Sequence, residues 1–125
     1  MQISSIADQK AIVAMVKGLF AAAHLNKWPP AESLMGRHPY VFPDHLFHAT
    51  RVTDCGLTTF TVKFFQITKG RVVSATSGCF VALTVSHDAE AQADAVRVWT
   101  DGRMSRADAF SRIKTALVME KLRHV

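Results

Sequence analysis

Cysteine is scarce in this chain: Cys55 and Cys79 are the only two in 125 residues, and neither sits in a C-x-x-C or Cys-His spacing. That excludes a zinc ribbon and a disulfide-built secreted scaffold, both of which need several cysteines at fixed intervals. Reduced structural thiols are expected, with a Cys55–Cys79 bridge the one alternative. Long apolar runs are also lacking. The stretch Ala11–Val16 is continuously apolar for six residues, far short of the roughly 20 that cross a bilayer. Phe20-Ala21-Ala22-Ala23 has the look of a leader cleavage site, but Asp8 precedes the apolar stretch and Lys17 divides it, which is the wrong pattern for a secretory signal. A soluble, cytoplasmic protein without membrane contact is expected. No G-x-S-x-G, H-E-x-x-H or G-x-x-x-x-G-K-[ST] occurs, so the sequence offers no ready nucleophile elbow, metalloprotease site or phosphate loop.

What the chain does have is a nearly uncharged beginning. From Ala11 to Leu25 only Lys17 is charged, and apolar side chains fall on every helical face. Ser4 or Ser5 is placed to cap such a helix, which should run to about Leu25. A helix apolar all round must be covered on most sides. One sheet covers one flank, so the other flank is a candidate for a partner subunit or a ligand, and Lys17 marks its wet rim. With 49% hydrophobic and 20% charged residues, residues 1–125 are expected to form a single globular domain.

All four prolines (Pro29, Pro30, Pro39, Pro43) and Gly36 fall between Asn26 and Pro43. They predict an ordered loop, packed through Trp28, Leu34, Met35, Tyr40, Val41 and Phe42, with a short helical turn at Ala31–Met35. Strands are expected at Leu46–Thr53 and Leu57–Ile67, joined by the hairpin Asp54-Cys55-Gly56. In the second, Phe60, Val62 and Phe64 share a face; Thr59, Thr61, Lys63, Phe65 and Ile67 share the other, polar at first and apolar at its end. Lys69-Gly70 turns into Arg71–Ser86, too long for one ordinary strand and bent at Ser77-Gly78. His87–Asp94 reads as a polar link and Ala95–Thr100 as the last strand. Ser105-Arg106-Ala107-Asp108 has the form of a capping box. It opens a helix to about Leu122 with Phe110, Ile113 and Leu117 as its buried stripe. The expected fold is α+β: an N-terminal helix, an antiparallel sheet of four or five sequential strands and a C-terminal helix, with both helices on one face. Unrelated small domains share this order, profilin-like and secretion-chaperone-like folds among them, so it assigns no function by itself.

The formal charge is +5 with a pI near 9.6. From Arg97 onward seven basic residues (Arg97, Arg103, Arg106, Arg112, Lys114, Lys121, Arg123) face three acidic ones (Asp101, Asp108, Glu120), so the excess is largely C-terminal. His45 and His48, with His38 and His87 further off, are poor joint metal ligands, because residues three apart in a strand point to opposite faces. Asp44, Asp54, His48 and His87 are the candidates for acid-base work, but no pair has a spacing that requires it. A nucleic-acid surface is allowed by strand parity: Lys63 lies with Phe65, Arg97 lies with Trp99, and Arg71 and Phe80 fall in between. Arg106 and Lys114 on the final helix offer a second route to polyanions. The R-G-F-G-F signature of RNA-recognition motifs is absent.

These features favour a non-catalytic, self-associating binding or adaptor module, a homodimer, with no cofactor and no metal. The second reading is nucleic-acid or polyanion binding through Lys63, Phe65, Arg71, Arg97, Trp99, Arg106 and Lys114. The third is a small-ligand protein or small enzyme, whose apolar pocket between helices and sheet is lined by Met15, Leu19, Phe60, Phe64 and Phe80.

Overall fold

The computed structural model describes residues 6–22, 31–38, 41–68, 71–72 and 78–123. Ser4, Ser5, Trp28, Pro29, Pro30, Pro39, Tyr40, Lys69, Gly70 and Ser77 lie outside that description. Helix α1 (Ile6–Ala22) is followed by strands β1 (Ala31–His38), β2 (Phe42–Asp54), β3 (Leu57–Thr68), β4 (Arg71–Val72), β5 (Cys79–Asp88) and β6 (Ala93–Thr100). Helix α2 (Arg106–Arg123) completes the order. All pairings are antiparallel, in the order β1-β2-β3-β5-β6, with β4 beside β3. The α+β layout is as expected, but the sheet has six strands and not four or five.

The additional strand is β1, where a helical turn was expected at Ala31–Met35. Its residues favour helix in isolation, but its ladder with β2, from Ala31↔Val52 to Arg37↔Leu46, decides the conformation. The expected long strand Arg71–Ser86 is divided into β4 and β5, and Gly78 forms the bend before β5. His87 and Asp94, expected in a link, are strand residues paired across β5 and β6. The turn is shorter, Ala89–Gln92, and the Asp88 carboxylate accepts from the Glu90 and Ala91 amides at 3.0 and 3.3 Å.

Alternation along each strand sorts the sheet into two faces. Leu34, Ala49, Val62, Leu83 and Val98 stand in one row across five strands, flanked by Gly36-Phe47-Phe64-Val81-Thr100 and Glu32-Arg51-Phe60-Val85-Val96. This is the core face, and both helices pack on it over β5 and β6. Ile12, Val13, Val16, Leu19 and Phe20 of α1 join Phe110, Ile113 and Leu117 of α2 in one buried cluster with it. The two helices run in the same direction: Lys114 Nζ meets Asp8 Oδ1 at 3.3 Å, and two to three turns further on Lys121 lies against Gly18. Ser105 caps α2 as expected, its hydroxyl accepting from the Asp108 amide at 3.1 Å.

The sheet curls, so that α2 also reaches the β1–β2 end. Buried His38 donates through Nε2–H to the Ala116 carbonyl at 3.0 Å, beside buried Glu120, and Arg112 donates to the Val41 carbonyl at 3.4 Å. Among the α1 side chains that are described, the exposed ones are Ala7, Lys10, Ala14 and Lys17. Except for half-buried Met15, every large apolar side chain from Ile12 to Phe20 is buried within the chain itself. No helix among the described residues is long and apolar enough to cross a membrane.

Candidate functional site

Among the described residues, no helix packs on the other face of the sheet. Its central row is Met35-His48-Lys63-Ala82-Trp99, one residue from each of five strands. On one side of it lies Ser33-Thr50-Thr61-Thr84-Arg97, and on the other Arg37-Leu46-Phe65-Cys79. Lys63, Arg37 and Arg97 are exposed, Met35 is 65% exposed and Trp99 49%. At about 4.8 Å per strand, Met35 and Trp99 are some 19 Å apart and Lys63 lies near the middle. No carboxylate stands in these three rows. Asp101, two residues beyond Trp99, already binds the Arg103 guanidinium at 2.9 Å, and Asp54 and Asp88 sit at the far end of the face, by the β2–β3 hairpin.

The polyanion candidates are therefore separated. Lys63, Arg97 and Trp99 come together on the face away from the helices. Phe65 shares that face but is only 4% exposed, so it offers no stacking surface. The side chain of Arg71 lies outside the described part. Lys114 is tied to Asp8 on the helical side, 5.9 Å from the Phe110 ring, and Arg106 is exposed at the start of α2, across the sheet from Trp99. Arg103, a further basic candidate, donates to Gln66 Oε1 at 2.6 Å and stacks 5.8 Å from the Phe80 ring. Met35 and Arg37 were missed by sequence reasoning, which took this segment for a loop.

The two cysteines cannot pair. Cys55 is in the β2–β3 turn, whereas Cys79 pairs with Phe65 near the opposite end of β3. Eight residues of strand hold them about 27 Å apart. Burial pushes the Cys79 thiol above its ordinary value near 9.0, opposed by the nearby Lys63 charge and a backbone hydrogen bond at Val81 and aided by Asp101. The thiol stays protonated at neutral pH and is a poor nucleophile.

On the core side, where α1 passes over the hairpin end of the sheet, an open cleft of about 220 Å³ is lined by Lys17, Arg51, Thr58, Phe60 and His87. Register accounts for it. Arg51 and Phe60 are cross-strand partners, and Thr58, His87 and Asp94 share the next row. His87 Nδ1 lies 2.6 Å from Asp94 Oδ1, so the carboxylate holds the proton on Nδ1 and fixes the ring. The Thr58 hydroxyl is bonded to Thr53 Oγ1 at 3.0 Å rather than to His87. An oriented imidazole is present without an activated hydroxyl beside it.

Of the five side chains expected to line an apolar pocket, only Phe60 reaches this cleft. Leu19, Phe64 and Phe80 are core side chains and Met15 packs against them. Arg51 carried no signal in the sequence, because its importance depends on where α1 crosses. His45 and His48 face opposite sides of β2, as the period of two requires, and Asp54 lies far from His48 along that strand. Among the described residues no three His, Cys, Asp or Glu side chains gather. No family model matches this chain, and neither the curated proteins nor the solved structures include a significant match to it.

Proposed function

We propose that the protein is a non-catalytic binding module that takes single-stranded nucleic acid across the sheet face away from its helices. The observation that supports this reading is the row Met35-His48-Lys63-Ala82-Trp99 with Arg37 and Arg97 beside it. A half-exposed indole offers a stacking surface for any base, and the flanking cations suit the phosphates. The path is directional. Asp54 and Asp88 repel a polyanion from the hairpin end, so the strand crosses the sheet along the rows and not along β-strands. Packing this face against its own copy would set like charges opposite one another, which disfavours a face-to-face dimer.

Fluorescent single-stranded oligonucleotides titrated at 50 and 200 mM salt test this. With about three phosphate contacts the affinity falls roughly twentyfold over that interval. Trp99→Ala weakens binding by about 1–3 kcal/mol, and Arg97→Gln lowers the salt slope by about 0.7. Salt-independent binding, or an unchanged affinity in Trp99→Ala, rules the reading out.

Self-association is the second reading. Its support has moved from α1, whose large side chains are covered, to α2, where Val118 is 43% and Leu122 67% exposed one turn apart. Such a small patch suits weak, concentration-dependent association.

A further inference from the structure

Resting on the nucleic-acid reading of the sheet face around Trp99, we propose that the strand taken there is RNA and not DNA, and that the row Ser33-Thr50-Thr61-Thr84 recognises its 2′-hydroxyls.

The row draws its hydroxyls from four adjacent strands. Ser33 of β1 pairs with Thr50 of β2, Thr50 with Thr61 of β3, and Thr61 with Thr84 of β5, beyond which Arg97 ends the row on β6. At about 4.8 Å per strand the four positions span some 14 Å, parallel to Met35-His48-Lys63-Ala82-Trp99 and next to it. Thr59 and Ser86 add two hydroxyls in the following row, toward the hairpin. Ser33 is exposed, and Thr50, Thr61 and Thr84 are half-buried. Cross-strand threonines can hydrogen-bond to each other, and Thr53 and Thr58 do so at 3.0 Å on the helix side of the sheet. Among the described residues no hydrogen bond takes up the hydroxyls of Ser33, Thr50, Thr61 or Thr84. Their donors and acceptors stay available to a molecule laid on the sheet.

A base stacked on the Trp99 indole places its sugar over one of the two neighbouring rows. Arg37-Leu46-Phe65-Cys79 offers leucine and phenylalanine in its middle, whereas the hydroxyl row offers hydrogen-bonding groups and ends on the Arg97 cation, which suits a phosphate. A 2′-hydroxyl both donates and accepts, as serine and threonine hydroxyls do. Each ribose therefore replaces the water it displaces with a hydrogen bond to the protein. Deoxyribose presents only C–H at that position and leaves the threonine hydroxyl desolvated without a partner, which is unfavourable. The discrimination thus comes from the sugar, and the stacking on Trp99 stays tolerant of base identity.

Fluorescent oligouridine and oligodeoxyuridine of equal length, which differ only in the 2′-hydroxyl, titrated into the full chain at about 50 mM salt, test this. The ribose strand is expected to bind about tenfold more tightly, the worth of one or two neutral hydrogen bonds. A 2′-O-methyl strand loses the donor and should bind like the deoxy strand. Thr61→Val and Thr50→Val each keep the β-branched shape that suits a strand, and each should cut the ratio to about threefold or less while the deoxy strand binds as before. Two variants on different strands keep the outcome from hanging on the folding of one. Equal or weaker binding of the ribose strand, with salt sensitivity and the loss in Trp99→Ala retained, overturns the RNA assignment and leaves the nucleic-acid reading standing. A tenfold ratio that survives in both valine variants overturns the role of the hydroxyl row. Binding of neither strand overturns this assignment and the nucleic-acid reading together.

Discussion

Cys55 has φ 49° and Gly56 φ 82°, and Asp54↔Leu57 closes the pair around them. Positive φ at both central positions is the type I′ geometry, whose twist matches that of the flanking strands. Glycine adopts it without strain, but the Cβ of cysteine does not, at a cost of about 1 kcal/mol. Cys55 is exposed, so replacing it removes little packing. Asn tolerates this conformation best among residues with a side chain. Cys55→Asn should therefore raise the unfolding free energy in urea by about 0.5–1 kcal/mol; an unchanged or lower midpoint would mean that the turn is not strained. The sequence made this hairpin legible through Asp-Cys-Gly between two alternating runs. It could not reveal that the middle residue would be forced into the left-handed region, because that follows from the two-residue closure.

At the level of elements, β3, β6 and α2 were readable from their own periodicity. The β3 alternation placed Phe60, Val62 and Phe64 in the core, and the stripe Phe110-Ile113-Leu117 is buried as expected. Strand β1 was not readable, since prolines stand on both sides and Ala-Glu-Ser-Leu-Met favours helix. Its identity comes from β2, and Gly36 is where the two strands fit most closely. A Cβ built on Gly36 would fall 2.5 Å from Phe47 Cε1, and the Phe47 ring is itself buried against Phe64 at a centroid distance of 6.4 Å. Gly36→Ala should destabilise by about 1–3 kcal/mol through overpacking, read from the urea midpoint. Adding Phe47→Leu should recover part of that loss, a coupling visible in the double-mutant cycle. Additive losses would mean that the strand, not the ring, resists the methyl group. The missed ends of β5 and β6 follow the same lesson. Val85 and His87 keep the period of two, and that continuation was the available signal for the His87–Asp94 pair.

Seen as a whole molecule, both helices cover one face of the sheet, and among the described residues no helix covers the other. The sequence pointed to an apolar α1 in need of cover, and from Ile12 to Phe20 the second helix and the curled sheet supply that cover within the chain. What remains exposed differs in character from place to place: basic and aromatic around Trp99, apolar at Val118 and Leu122. Polyanion binding and self-association then belong to different surfaces and should separate. Light scattering is expected to give 13.8 kDa at low micromolar concentration and a rising mass at high concentration. Val118→Glu with Leu122→Glu places two acids on the exposed side of α2 and should hold the mass at one chain. Those positions face away from the core, so oligonucleotide affinity should change by less than about twofold, a fraction of a kcal/mol. A constant 13.8 kDa in the wild type would remove self-association and leave the sheet face unaffected. If the double variant instead lost oligonucleotide binding along with its mass change, the nucleic-acid surface would have to be completed by a second copy, and the sheet face of one chain would be only half of it.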